Sequence, residues 1–87
     1  MQNTIQISDI EKWLSKIETF MQNVEILDPR GEEMIANINA YVNDSRHFQE
    51  QGNLVLSFEC MVWAWSVLEV CQQLGVISAK DEPDRKL

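Results

Sequence analysis

The sequence predicts an all-α protein, a closed up-down-up bundle of three helices, and three observations support this fold class. Three segments repeat apolar residues at spacings of three and four, which is the period of an amphipathic helix. Lone glycines and one proline separate the segments, and such short links favour antiparallel neighbours. No segment shows the apolar–polar alternation of a half-exposed strand. We therefore expect one domain over residues 1–77 and a polar, disordered tail at 78–87.

The first helix is predicted at about residues 9–26. Ser8 and Glu11 have the spacing of a capping box, in which the serine caps the first turn and the glutamate bonds back to it. The charged residues between the apolar positions are typical of a solvated outer face. The apolar positions are Ile10, Trp13, Leu14, Ile17, Phe20, Met21 and Val24.

The second helix is predicted at about residues 30–51, with Asp28 as N-cap and Pro29 at the first helical position. Ser45 lies within its apolar arc. A small residue there permits close approach of a neighbouring helix, and its hydroxyl can bond a backbone carbonyl one turn back. Gly52 suits the left-handed position that ends a helix. The arc consists of Met34, Ile35, Ile38, Tyr41, Val42, Ser45 and Phe48.

The third helix, at about residues 54–74, is the element on which the fold depends. Asn53 is the expected N-cap, and Gly75 the expected left-handed residue of a Schellman-type stop. The helix is apolar nearly all round, so it needs burial on most sides, by the other helices or by a second copy. Its expected core face is Leu56, Cys60, Trp63, Ala64, Val67, Cys71 and Leu74, widened by Met61 and Leu68.

A second apolar stripe on this helix consists of Phe58, Val62 and Trp65, at spacings i, i+4 and i+7. It lies among polar residues, opposite the expected core face. Either the two neighbouring helices of the bundle bury the stripe internally, or the stripe forms a surface for a protein partner or for self-association. The sequence leaves both possibilities open.

Composition restricts the partners. The formal net charge is −7 and only seven residues are Lys or Arg, which opposes binding to a nucleic-acid backbone. Glu59 and Glu69 lie inside the third helix and disfavour membrane insertion. The first residues lack the basic and apolar regions of a secretory signal, so we expect a cytoplasmic protein. Cys60 and Cys71, three turns apart, are expected to be small buried thiols.

Few residues suggest chemistry. His47 is the single histidine and falls off the apolar arc, so we expect a solvated side chain and not a metal ligand. Glu59 and Glu69 are about 15 Å apart along a helix, which is too far to act on one bond. Glu69 is flanked by apolar residues and is the carboxylate with the better case for a functional site, because buried carboxylates sometimes mark such sites. We expect no enzyme activity, no catalytic residue, no metal and no cofactor.

The segment 41–77 contains a set of residues whose spacing is typical of a known family. They are Tyr41, Asp44, Ser45, Phe48, Gly52, Asn53, Phe58, Glu59, Ala64, Leu68, Glu69, Leu74 and Gly75. With these residues the segment resembles the archaeal family known as domain of unknown function 357. This resemblance implies a closed three-helix bundle in a cytoplasmic setting and no known activity. Trp65 and Cys71 depart from the smaller residues typical of members.

Two functional hypotheses follow. The first is a protein-interaction or self-association module, with a homodimer or an unknown protein as partner, that uses Phe58, Val62 and Trp65. The second is a small-ligand-binding regulatory domain with an apolar cavity between helices, lined by Trp13, Met61 and Trp63. An enzyme ranks third, because it would need Glu69 or His47 facing a cleft beside a second polar group.

Overall fold

A computed structural model describes residues 6–79 of the 87-residue chain. It contains three helices, α1 (Ile7–Gln22), α2 (Arg30–Glu50) and α3 (Leu54–Gln73), and two short strands, β1 (Val24–Ile26) and β2 (Ile77–Ala79). The strands pair antiparallel. Because this pair joins the carboxyl ends of α1 and α3 beside the amino end of α2, the helices run up, down and up. The all-α three-helix prediction is confirmed.

The first helix ends earlier than the sequence predicted. It was expected to reach residue 26, but it ends at Gln22, and Val24–Ile26 form β1 instead. No strand was predicted. The reason is tertiary: β1 pairs with Ile77–Ala79, a partner distant in sequence, and its β-branched residues suit a pleated surface. Ser78 and Ala79, expected in the polar tail, therefore lie in β2, and residues 80–87 fall outside the described part of the chain.

The start of α1 also differs from the prediction. Ser8 was expected to cap the helix, yet the helix begins at Ile7, and its N-cap Gln6 makes no side-chain capping bond. The backbone carbonyl of Gln6 accepts hydrogen bonds from the amides of Asp9 and Ile10, at 3.1 and 3.2 Å. Ser8 is thus already helical, and the capping box does not form.

The cap of α3 agrees with the sequence, because the Asn53 side chain accepts the Leu56 amide at 3.1 Å. At α2 the N-cap is Pro29 and not Asp28 as predicted, since the helix begins at Arg30. The Asp28 carboxylate still accepts the Arg30 amide at 2.9 Å. Gly52 and Gly75 have φ angles of 78° and 74°, the left-handed conformation that glycine adopts without steric cost. These local signals fix the α2–α3 hairpin, whose link is only three residues long.

One core joins the three helices and β2. The helix α1 contributes its four large inward residues, and α3 contributes the largest buried side chain, Trp65. The contribution of α2 is smaller, because much of its inner face is made of small residues. The buried apolar residues are Ile10, Leu14, Ile17, Phe20, Ile38, Val42, Met61, Ala64, Trp65, Leu68, Cys71, Val76 and Ile77.

Small residues line the contact between α2 and α3. Ser45 and Ser57, both fully buried, face each other across it. The Ser45 hydroxyl donates to the Ser57 carbonyl at 2.7 Å, and the Ser57 hydroxyl donates to the Ser45 carbonyl at 2.8 Å. The predicted close approach at Ser45 is confirmed, but its hydroxyl bonds across to α3 and not one turn back. Each buried hydroxyl is therefore satisfied by the opposite helix.

Removal of either hydroxyl should destabilise the bundle modestly. We expect Ser45→Ala and Ser57→Ala each to lower the free energy of unfolding by about 1 kcal/mol, since each deletes one buried hydrogen bond. Ser15→Ala is the matched control, because Ser15 is exposed on α1, away from the α2–α3 contact, and should change stability by less than about 0.5 kcal/mol. Urea unfolding of the three variants checks this, and equal effects at all three sites would contradict it.

A charged cluster that the sequence did not reveal joins α1 to α2. The Arg46 guanidinium bonds Glu18 at 2.6 Å and Glu11 at 3.0 Å. All three side chains are more than a third exposed, so solvent screens the ion pairs and their contribution to stability is small. The pKa of Arg46 is raised, chiefly by its hydrogen bond to Glu18. Arg46 lies near the end of α2 and its partners lie on α1, so the cluster spans the antiparallel contact between these helices.

Candidate functional site

The face of α3 that enters the core differs from the predicted one. The sequence placed Leu56, Trp63 and Leu74 in the core, yet these side chains are 37%, 58% and 67% exposed. The buried arc is centred instead on the small residues that meet α2. Because α3 is apolar on nearly every side, its periodicity could not identify the inner face. The buried residues are Ser57, Met61, Ala64, Trp65, Leu68 and Cys71.

Trp65 belongs to the core and not to an exposed stripe. Its side chain is 1% exposed, and its indole nitrogen donates to the Trp13 carbonyl at 3.2 Å. The Trp13 and Trp65 rings meet edge to face, with centroids 6.0 Å apart and planes at 87°. Of the three residues predicted as an interface, Phe58 and Val62 are exposed, whereas the hydrogen bond and ring contact with α1 hold Trp65 inside.

The side of α3 that faces away from the core remains strongly apolar. We call this surface the outer face. Its apolar side chains are one-third to two-thirds exposed. A helix that is apolar on nearly every side is usually buried on most of them. By length and composition alone α3 could cross a membrane, a test that core helices of soluble proteins also pass, and only 33% of that apolar window is buried in the protein. The outer face consists of Val55, Leu56, Phe58, Val62, Trp63, Val70 and Leu74.

The outer face is nearly free of charge. At 100° per residue, the exposed Ser66 lies opposite the buried arc, with Val62 and Val70 one turn to either side. The helix contains no Lys or Arg, and its only charged residues are Glu59 and Glu69. A small residue at the centre of an apolar surface leaves room for the backbone of another helix to approach.

Trp63 lies on the side of the outer face next to α2. Its ring stacks on Tyr41, with centroids 6.4 Å apart and planes 22° from parallel. Trp63 therefore cannot line a cavity together with Trp13 and Met61, as the ligand hypothesis expected. The stacking fixes the Trp63 ring against α2 and leaves more than half of the side chain in contact with solvent.

A groove of about 250 Å³ lies on the opposite side of the outer face, between α1 and α3. Its walls are mainly apolar, and Glu69 is the single ionisable residue among them. The half-buried Glu69 has no ion-pair or hydrogen-bond partner among residues 6–79. The groove contains all three residues of the predicted stripe and two of the three residues predicted to line a cavity. Its lining is Trp13, Phe58, Met61, Val62, Trp65, Ser66 and Glu69.

The other candidates for chemistry are dispersed. His47 is exposed, and its ring lies edge-on to Phe48 with centroids 5.7 Å apart. Burial raises the pKa of both thiols, Cys60 and Cys71, and the carboxylate of Asp44 raises that of Cys60 further. The thiols therefore remain protonated at neutral pH and are weak nucleophiles. Within the described part of the chain, no cluster of three acidic, His or Cys side chains could hold a metal ion.

Comparison with known proteins places this fold in a family. The family model described as "Protein of unknown function (DUF357)" matches residues 7–77, which includes α1 as well as the C-terminal half in which the resemblance was noted. The crystal structure of protein AF1782 from Archaeoglobus fulgidus, assigned to the same family, is similar at 40% identity and a TM-score of 0.73, over 84% of this chain and 91% of that one. A comparison with curated proteins gave no match. The chain belongs to the DUF357 family.

Proposed function

We propose that the protein is a self-association module, in which the outer face of α3 binds the same face of a second copy. One observation carries the proposal: the most apolar helix of the chain, together with its C-cap residue Leu74, leaves seven large side chains exposed, among them Trp63 at 58% and Val70 at 53%. A second chain would remove this surface from water. An 87-residue core is small, and oligomerisation is a common way to stabilise domains of this size.

The outer face is complementary to itself. In a symmetric pair with antiparallel helices that cross at Ser66, Val62 would pack on Val70 of the partner subunit. By the same symmetry, Val70 would pack on Val62 of the partner subunit. Glu59 would lie beside Gln73 of the partner subunit, so the carboxylates of the two copies would stay apart. The helix is about 30 Å long, which provides an extended seam.

Charge favours a second copy over a strongly charged partner. The protein as a whole has a net charge of −7, but the outer face contains neither Lys nor Arg. The face offers no cationic side chain to a nucleic-acid backbone. It also offers few charges to a protein partner that binds through charge complementarity. An apolar face whose one exposed carboxylate, Glu59, does not meet its own copy is suited to an identical face. Neither catalysis nor a cofactor enters this proposal.

The test is a change of charge at the centre of the seam. Val70→Glu should weaken self-association at least about tenfold, because an unpaired carboxylate would have to be buried between the two copies. Sedimentation velocity across a dilution series measures the effect. Val70 is exposed and lies outside the groove, so the circular dichroism of the variant should match that of the natural protein.

Ala36→Glu is the matched control for this variant. Ala36 is exposed on α2, away from the outer face, and its replacement adds the same charge. It should leave the association constant within about twofold of the natural value. If the two variants associate equally well, the outer face of α3 is not the interface.

A further inference from the structure

We infer that the groove between α1 and α3 is a binding site for a small organic cation with an apolar body. The groove has a volume of about 250 Å³ and is formed within one chain. The inference does not depend on self-association, but Phe58, Val62 and Ser66 belong to both surfaces. The groove is therefore tested in the Val70→Gln variant, in which a polar side chain in the seam weakens the contact that would cover it. The inference rests on the chemistry of the lining, which combines aromatic rings with one unpaired carboxylate.

Aromatic side chains dominate the groove. Trp13, Phe58 and Trp65 line it together with the polarizable thioether of Met61. The electron-rich faces of such rings attract cations, and sites for organic ammonium groups are commonly built from them. The Trp13 ring already attracts two cations of this chain, because the Lys16 and Lys12 ammonium groups lie 4.5 and 5.7 Å from its centroid. Trp65 is almost fully buried and forms the apolar floor of the groove.

Glu69 determines that a charged ligand of the groove should be a cation. It is half-buried at the groove wall, and among residues 6–79 no basic side chain pairs with it. A carboxylate in partly apolar surroundings interacts more strongly with a cation than one in bulk water. A ligand with an ammonium group would complete this pair, while its apolar body would contact the rings. An anion would be repelled by Glu69 and by the net charge of −7.

Three probes of similar size and different charge test the inference. Benzylammonium, benzyl alcohol and benzoate share a phenyl ring and differ in carrying a positive, zero or negative charge. Titrations followed by the indole N–H signals in ¹H–¹⁵N spectra should shift Trp13 and Trp65, while Trp63, outside the groove, serves as an internal reference. Benzylammonium should bind with a Kd on the order of 1 mM, as suits so small a ligand, and benzoate at least about tenfold more weakly.

The variant Glu69→Gln isolates the carboxylate. It should weaken benzylammonium binding about fivefold or more and leave benzyl alcohol unchanged. Glu59→Gln is the control, because it removes the same charge from α3 at a position outside the groove. Three results overturn the inference: equal affinity for the three probes, no shift of Trp13 and Trp65, or equal effects of the two variants. Each of them would leave the proposed self-association intact.

Discussion

Replacement of Trp65 by alanine should lower the free energy of unfolding by about 3–5 kcal/mol, the range observed when a buried tryptophan or phenylalanine is truncated. The side chain is 1% exposed and is the largest that is fully buried. Its loss would open a cavity between α1 and α3 and remove the hydrogen bond to the Trp13 carbonyl. For a domain of this size, such a loss corresponds to a decrease in Tm of more than about 12 °C.

Trp63→Ala is the matched control, because it deletes the same side chain from the same helix two residues away. Trp63 is 58% exposed and its main contact is the ring of Tyr41, so its loss should cost about 1 kcal/mol. Urea unfolding followed by circular dichroism measures both variants, at low protein concentration so that self-association contributes least. Equal costs at the two positions would contradict the orientation of α3 described above.

Substitution of Gly31 by alanine should destabilise the protein by about 1–3 kcal/mol, although alanine normally favours a helix by about 1 kcal/mol over glycine. A Cβ atom at this position would lie 2.6 Å from the Val76 carbonyl oxygen and 3.1 Å from methyl carbons of Ile26 and Ile77. The oxygen belongs to the backbone, so it cannot move aside as a flexible side chain would. The first turn of α2 would have to separate from the strand pair.

The exposed residue Ala36 provides the reference for this substitution. Ala36→Gly should cost about 1 kcal/mol through helix propensity alone. Addition of a methyl at position 31 and removal of one at position 36 should therefore both destabilise the same helix. Hydrogen exchange adds a local readout: Gly31→Ala should reduce protection of the Leu27 amide, which donates to the Val76 carbonyl at 2.9 Å. A more stable Gly31→Ala variant would contradict the close approach at this site.

Local signals in the sequence were sufficient to place the helices and most of their ends. Asn53 caps α3 as predicted, and Gly52 and Gly75 end their helices in the left-handed conformation. These features depend only on residues within a few positions of one another. The strands β1 and β2 could not be predicted in this way, because their pairing joins residues about fifty positions apart and each strand has only three residues.

The orientation of α3 was the main feature that the sequence left undetermined. A helix with apolar residues on every side has no preferred inner face, so large residues such as Trp63 appeared equivalent to Trp65. The small residues Ser57, Ala64 and Cys71, spaced by seven, were the signal that could have resolved it, because they repeat along one line and permit close packing on α2. The Arg46 cluster was also missed, since its partners lie on another helix.

The helix α3 packs into the core with one face, and we propose that it binds a second copy with the other. Light scattering after size exclusion, across a dilution series of the natural protein, distinguishes this assembly from a monomer. A chain of 10.1 kDa should give twice that mass at micromolar concentration and approach the single-chain mass on dilution. A mass of one chain at every concentration would contradict the claim, and would mean that the outer face of α3 does not bind a second copy.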